Sequence, residues 1–384
     1  MKEKFLAFVS SYFLLFILFF PVVIGSFQFQ KWITTFLFGN ISDLLGKFLL
    51  GRNIRSDFSS DSFSMVLLML ILGLFAILIS FLIKKRQQLI IFAQKIIPYY
   101  IAIMLLKYGA DKLFKAQFYL PEPNILFTKF GDLDQDILFW SVMGTSRTYS
   151  LILGTIEVLI SILLIFKKTR ILGSILAFFT FANILIINFS FDISVKFFSI
   201  TLFLMTIFSL GNFWSNFYHL IIKKQIVQIQ TSEIQLNEKL KSFLFPLKIL
   251  IIGLAFLQIF LPIYQSKNWN DDLAERPFLH GAYRIKADPN AQKNQLKYLF
   301  FHRAGYLIFV NENDDSKEYI YEVDLADQVL KCKSFQGENL KFKYSEKDSI
   351  LSLRNETDSV ILKSINWRKM AALKPQFHWI IEEL

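Results

Sequence analysis

Long apolar runs alternate with short polar segments over the first two thirds of the chain. A bilayer core about 30 Å thick is crossed by roughly 20 apolar residues of helix. About seven runs approach this length: residues 5–24, 64–83, 89–106, 149–166, 171–189, 194–214 and 243–264. Backbone polar groups cannot stay unpaired in lipid, so each run is predicted to be a helix. The pattern therefore predicts an all-α membrane bundle of about seven spans.

The first run has an alternative interpretation as a signal peptide, which has a shorter apolar stretch and ends in small residues. The run of residues 5–24 is long for a signal peptide, and no clear small-x-small site ends it. We therefore expect a retained anchor.

Basic residues in the short connections predict the orientation, because such loops stay on the cytoplasmic side. Residues 84–86, 167–170 and 223–241 carry this excess of Lys and Arg. We expect these loops and the N-terminus to face the cytoplasm, in the cytoplasmic (inner) membrane of a bacterium. An odd number of spans then places the C-terminus outside the cytoplasm.

Two connections have helical patterns of their own. Apolar residues recur at helical spacing over 29–49, with Gln, Lys, Ser and Asp between them, which predicts an amphipathic helix at the outer interface. Residues 136–143 predict a shorter helix, with Trp140 in the headgroup zone. Both are interpreted as a lid or brace over the bundle.

After residue 264, apolar and polar residues alternate in short runs separated by turn-like segments. Runs of this kind are 296–302, 305–310, 318–323, 328–333, 340–344, 349–354, 359–363 and 377–381. They predict an antiparallel meander that closes as a barrel or packs as a sandwich. A barrel holding an apolar ligand and a solid-cored cap are both open.

The predicted organisation has five parts: an N-terminal two-span region, a four-helix membrane bundle, a cytoplasmic loop, a seventh span and an extracytoplasmic β-rich domain. Their ranges are 1–88, 89–214, 215–242, 243–264 and 265–384.

Composition narrows the function classes. The chain has 384 residues, 54% hydrophobic with 44 Phe, which suits lipid better than a water-soluble core. The net charge of +11 lies largely in the basic loops, so orientation explains it and nucleic-acid binding is not expected. Cys332 is the single cysteine and the four His are scattered, so neither a disulfide nor a metal site is expected.

Glu157 is the candidate catalytic residue, because an ionisable group within a span is costly and calls for a function. It lies about 12 Å into the fourth run. Ser150, Gly154 and Ser161 share its helix face, and small and polar residues on one face mark a helix–helix contact. Glu157 is therefore expected to point into the bundle.

Other polar residues near the outer ends of the spans are candidate ligand-binding residues. They are Lys107, Asp111, Lys112, Asn183, Asn188, Asp192 and Lys196. One interpretation joins them in a hydrated pocket near the outer leaflet. The alternative is that Lys107–Asp111 and Asp192–Lys196 are ordinary end-of-helix pairs, with Glu157 holding two helices together through one hydrogen bond.

Residues 96–211 resemble the DoxX family of small four-helix membrane proteins. The resemblance rests on four short motifs: Lys107-Tyr-Gly-Ala-Asp-Lys112 with Gln117-Phe118 after it, Gly154-Thr-Ile-Glu157, Lys167-Lys-Thr-Arg170, and Asn188-Phe-Ser-Phe-Asp192 with Val195-Lys196. The tail is similar to that of DoxX-like proteins whose extracytoplasmic domain ends near Phe-His-Trp-x-x-Glu, here Phe377-His-Trp-Ile-Ile-Glu382. The chain departs from the family unit by its two N-terminal spans, seventh span and tail.

The resemblance implies a link to quinone-coupled oxidation, because one DoxX protein is described as a subunit of a thiosulfate:quinone oxidoreductase. Residues that would bind thiosulfate or a redox metal are not recognisable here. The leading hypothesis is a bundle that binds a quinone or another lipid-soluble molecule. Glu157 would accept a proton, while Lys112 and Asn188 would position the head group. The alternative is a non-enzymatic anchor that presents the β domain to a membrane or periplasmic protein partner. A transporter is disfavoured, because no inverted repeat or broken helix pair is evident.

Overall fold

The computed structural model describes residues 2–20, 29–52, 56–225, 238–286, 296–355 and 359–374. The chain forms two compact units. The first consists of Met1–Gln117 and Thr148–Asn270, and the second of Phe118–Arg147 and Asp271–Leu384. The second unit thus begins near the predicted boundary at residue 265, but it also contains a segment that the sequence placed in the four-helix bundle.

The first unit is helical, and α5 and α6 lie in the second unit. In chain order the helices are α1 (Lys2–Phe19), α2 (Phe29–Leu50), α3 (Phe63–Leu82), α4 (Arg86–Leu113), α5 (Pro123–Phe127), α6 (Gln135–Thr145), α7 (Arg147–Ile165), α8 (Arg170–Ser190), α9 (Lys196–Ser209), α10 (Trp214–Phe217) and α11 (Glu238–Ser266). Helix α1 packs on α3 and α4, and α9 packs on α4 and α8.

Within the described residues, five helices are long and apolar enough to cross a membrane: Gln30–Leu50, Phe63–Leu82, Arg86–Leu113, Arg147–Ile165 and Arg170–Ser190. The chain is therefore a multi-pass membrane protein, as the sequence predicts. The number differs from about seven. Four of the five helices match predicted runs, and α2 is an additional one. Of the other three runs, α1 has three charged residues in its first turn and its predicted continuation lies outside the described residues, and α9 has only 14 residues. The seventh run lies within α11, a helix of 29 residues that contains Pro246 and Pro262, and many of its side chains lie outside the described residues.

Helix α2 covers the residues of the predicted amphipathic helix. Thr34, Phe38 and Ser42 form its buried stripe, whereas Trp32 and Phe48 are among its most exposed side chains. The apolar positions at helical spacing thus point outward, away from this buried stripe. An apolar outer face suits lipid, which agrees with a length and composition sufficient to span.

The second unit contains a closed barrel of eight antiparallel strands. The strands are β1 (Gly281–Ile285), β2 (Leu296–Phe301), β3 (Tyr306–Asn311), β4 (Ser316–Asp324), β5 (Val329–Ser334), β6 (Asn339–Lys347), β7 (Ile350–Arg354) and β8 (Ser359–Ile365). Each strand pairs with the next, and β8 pairs with β1. The predicted meander is confirmed as a barrel. Strand β1 was not predicted, and the predicted strand at 377–381 lies outside the described residues.

The barrel interior is filled unevenly along its axis. Phe301, Leu307, Leu330 and Leu351 are fully buried inside it, together with the Cys332 thiol, whose pKa burial raises to about 12. The end that carries the β1–β2, β3–β4, β5–β6 and β7–β8 connections instead contains a cavity of about 250 Å³. The barrel therefore has a packed end and an end with free volume.

Candidate functional site

Helices α4 and α7 meet at two glycines, which bring the backbones unusually close. A Cβ atom added at Gly154 would lie 2.6 Å from the carbonyl oxygen of Gly109, and one at Gly109 would lie 2.9 Å from that of Gly154. Ser161 Oγ donates a hydrogen bond to the carbonyl oxygen of Ala102 at 2.8 Å. The small and polar residues thus form a helix–helix contact, as the sequence pattern indicates.

Beside this contact, Lys112 Nζ lies 2.8 Å from Glu157 Oε2. Lys112 is 6% exposed and Glu157 is 4% exposed. The Lys112–Glu157 pair therefore joins α4 to α7 inside the helical unit. A buried pair of this kind offsets the desolvation of each charge by mutual attraction.

An aromatic residue connects the pair with α9. Lys112 Nζ lies 5.9 Å from the ring centroid of Tyr108, and the Tyr108 ring lies 6.3 Å from that of Phe198. One turn earlier on α4, Lys107 donates a hydrogen bond to Asp111, and both of these side chains are partly exposed. The structure thus brings together four predicted site residues on α4 and α7.

The predicted residues at the start of α9 form a second group. Lys196 Nζ lies 2.7 Å from Asp192 Oδ1 and 3.8 Å from Asp61 Oδ2. Asp61 also accepts hydrogen bonds from the backbone N–H groups of Lys196 and Phe197, at 2.8 and 3.0 Å. Asp61 therefore caps α9, a role that the sequence analysis missed because the residue lies 135 positions earlier in the chain.

The two predicted asparagines differ in placement. Asn188 is buried near the end of α8, and its carbonyl oxygen accepts a hydrogen bond from the N–H of Ile193 at 3.0 Å. Asn183, a little more than one turn earlier, is exposed. Asn183 therefore does not share the buried environment of Lys112 and Glu157.

A buried polar network in the second unit was not predicted. His280 Nε2 lies 2.8 Å from Glu122 Oε2, and the N–H of Arg303 donates to the same oxygen at 3.3 Å. The Arg303 guanidinium donates to both oxygens of Asp271, at 2.8 and 2.6 Å, and stacks on the Tyr119 ring at 4.4 Å. These contacts attach the segment Phe118–Arg147 to the end of the barrel that carries the β2–β3 turn, which explains why the segment belongs to the second unit.

The electrostatics of this network favour a charged carboxylate. Burial by itself would raise the pKa of Glu122. The hydrogen bond and charge of His280, the charge of His302 and the Arg303 N–H outweigh burial, so the pKa of Glu122 is lowered. Burial lowers the pKa of His302, although the charge of Glu122 opposes this shift. Among the described residues, no group of three or more His, Cys, Asp or Glu is arranged to hold a metal ion.

No family model matches the chain, and no solved structure matches it significantly. The chain is similar to the uncharacterised protein YwoB of Bacillus subtilis (strain 168), with 30% identity over 82 residues, which are 19% of this chain and 53% of the relative. The chain thus spans about half the length of the curated relative that it matches. The resemblance to the DoxX family stays a prediction.

Proposed function

We propose that this membrane protein binds a quinone, or another lipid-soluble molecule with proton-accepting oxygens, at the Lys112–Glu157 pair. The observation that supports this proposal is a salt bridge of 2.8 Å that is buried between α4 and α7 in an apolar bundle. Well-packed apolar side chains often stabilise a protein as well as a buried ion pair does. A requirement for stability alone therefore does not explain why charged residues occupy these positions. Ionisable groups inside membrane segments commonly bind ligands or transfer protons.

The chemistry of the two side chains suits such a ligand. The ammonium of Lys112 supplies hydrogen-bond donors for a carbonyl oxygen, and the carboxylate of Glu157 supplies an acceptor for a hydroxyl proton. Ser150 lies two turns from Glu157 on the same face of α7. Its hydroxyl is buried and has no hydrogen-bond partner among the residues that the structure describes. This hydroxyl offers one further donor to a ligand oxygen.

Lipid extraction of the purified protein tests this proposal. We expect a quinone to co-elute with the wild type in near-stoichiometric amount, and to be depleted in Glu157→Gln, which keeps hydrogen-bonding capacity but removes the titrating carboxylate. Thr155→Val, on the exposed face of the same helix, is the matched control and should retain the ligand. The proposal would be contradicted if neither a quinone nor another lipid-soluble molecule with proton-accepting oxygens co-eluted with the wild type, or if its content were equal in all three proteins.

The alternative function is a membrane anchor that presents the barrel to a partner outside the cytoplasm. The observation that favours it is that Glu157, Asp111 and Asp192 each pair with a lysine of the same unit. Under this proposal Glu157→Gln leaves cellular function intact, and a protein partner co-purifies through the barrel.

Both proposals place the barrel outside the cytoplasm, following the basic-loop asymmetry. A cysteine introduced at the exposed position Lys331, in a Cys332→Ala background, should react with a membrane-impermeant maleimide in intact cells. Protection in intact cells with labelling after lysis would place the barrel on the opposite side.

A further inference from the structure

The barrel contains free volume that the described side chains of its strands do not fill. Eight strands enclose an interior just wide enough to be packed or to hold one small ligand. Here Leu299, Leu353 and Leu362 are buried at the floor of the cavity. Above them, Phe309 and Phe342 point inward but are only half-buried. Apolar side chains that face a cavity and stay partly accessible gain burial if an apolar ligand enters.

The size of the cavity limits the ligand. Its volume is about 250 Å³. A cavity of about 150 Å³ holds one benzene molecule of six carbons, so the same packing allows about ten non-hydrogen atoms here. This corresponds to a medium-length acyl chain or a small ring system.

One cation lies at the cavity mouth. Lys317 lines the cavity directly across from Phe309 in the β3–β4 ladder, and it is exposed. Lys317 forms no ion pair within the described part of the chain. Its methylene stem can follow the apolar wall while the ammonium stays in water. Tyr319, also in the lining, already donates its hydroxyl to Glu338 at 3.1 Å.

We infer that the barrel binds a small amphipathic anion, with an acyl-type tail in the cavity and a carboxylate at Lys317. An anionic group at the mouth pairs with the lysine, whereas the tail is removed from water by the half-buried aromatic and aliphatic lining. This site is separate from the Lys112–Glu157 pair and does not depend on the function proposed for it.

Photolabelling of the full chain in lipid nanodiscs tests the inference. The probe is decanoate that carries a diazirine at the end of its chain, with free concentrations measured in the aqueous phase. We expect labelled peptides from the cavity-lining strands, and competition by unlabelled decanoate at least fivefold better than by 1-decanol. Labelling that is confined to the helical unit, or that decanoate does not compete, would overturn the assignment.

Variants separate the head-group contact from the cavity. Lys317→Met keeps the stem and should weaken competition by decanoate about fivefold, in line with an exposed charge pair, while leaving 1-decanol unchanged. Lys341→Met, on the outward side of β6 between two lining residues, is the matched control and should change neither. Leu340→Trp should fill the cavity and abolish labelling, with folding checked by its melting curve. If Leu340→Trp does not fold, the lysine variants still decide: equal decanoate competition in Lys317→Met and wild type would refute the anion site.

Discussion

Removing one partner of the Lys112–Glu157 pair should destabilise the helical unit far more than removing both. At an effective dielectric constant of about 20, two unit charges 2.8 Å apart attract by about 6 kcal/mol. Glu157→Leu leaves the Lys112 charge in its buried position without its carboxylate counterion. The expected cost is about 3–5 kcal/mol. Lys112→Met should cost a similar amount, because the Glu157 carboxylate then loses its cation.

The double variant Lys112→Met/Glu157→Leu replaces both charges by apolar side chains of similar length. It should be as stable as the wild type or more stable by up to about 4 kcal/mol. The non-additivity of the cycle should therefore exceed about 3 kcal/mol. The control cycle is Lys107→Met/Asp111→Leu on α4. Because that pair is partly exposed, its coupling should stay within about 1 kcal/mol.

The assay is reversible unfolding in mixed micelles with increasing dodecyl sulfate, followed by helical circular dichroism. The same proteins are then tested for co-eluting quinone. A stable double variant that has lost the ligand would separate the chemical role of the pair from its structural role. The physical reasoning is refuted if each single variant is as stable as the control, or if the double variant is no more stable than the weaker single variant.

Two further outcomes follow from the geometry. Gly154→Ala should destabilise the helical unit by about 1–3 kcal/mol, because its Cβ would lie 2.6 Å from a backbone oxygen. Gly73→Ala, in open space on α3, is the control and should be neutral or stabilising. Unfolding of both variants in mixed micelles checks this difference. Acidification should loosen the barrel. The lowered pKa of Glu122 contributes stability that is present above the usual Glu pKa of about 4.3 and is lost as pH falls through the pKa of the folded state. The lowered pKa of His302 costs further stability as pH falls below about 6.5, because the unfolded state then binds more protons. Hydrogen exchange of β2 and β3 from pH 8 to about 2.5, corrected for intrinsic rates, should show both losses, and His302→Gln should remove the part near pH 6. A flat profile in the wild type would contradict the assignment.

The elements that the sequence predicts well are those with a single dominant period. Helices α3, α4, α7 and α8 follow from apolar runs of about membrane length, and seven of the eight strands follow from alternation. Strand β1 lacks that alternation, because both of its faces are covered: Tyr283 points into the barrel, whereas Ala282 packs outside with Phe300 and Trp367. A strand buried on both sides gives no period-two signal.

Contacts between distant residues could not be predicted from local pattern. The face of α7 that contains Glu157 follows from small and polar spacing, and Lys112 was one of the expected neighbours. The register of α4 against α7 places Lys112 Nζ 2.8 Å from Glu157 Oε2. This register depends on the close approach of Gly109 and Gly154, which only the fold reveals. The residues next to Asp61 in the sequence give no sign of its capping role, because its carboxylate accepts hydrogen bonds from N–H groups 135 and 136 residues later in the chain.

The Lys112–Glu157 pair and the barrel cavity differ in the contacts that a ligand would meet, and this difference supports two separate kinds of site. In the helical unit, Glu157 and Lys112 neutralise each other in a closely packed contact. A ligand there must compete with this salt bridge. Protonation of the Glu157 carboxylate would remove one of the two charges and so break the salt bridge. In the barrel, the lining of the cavity is partly exposed and Lys317 stands at its mouth, so a ligand adds burial and an ion pair without displacing an existing contact. Binding to the pair should therefore depend on pH and on Glu157, whereas binding to the barrel should depend on tail length and on Lys317. A ligand whose binding responds to both sets of changes would require that the two sites are coupled.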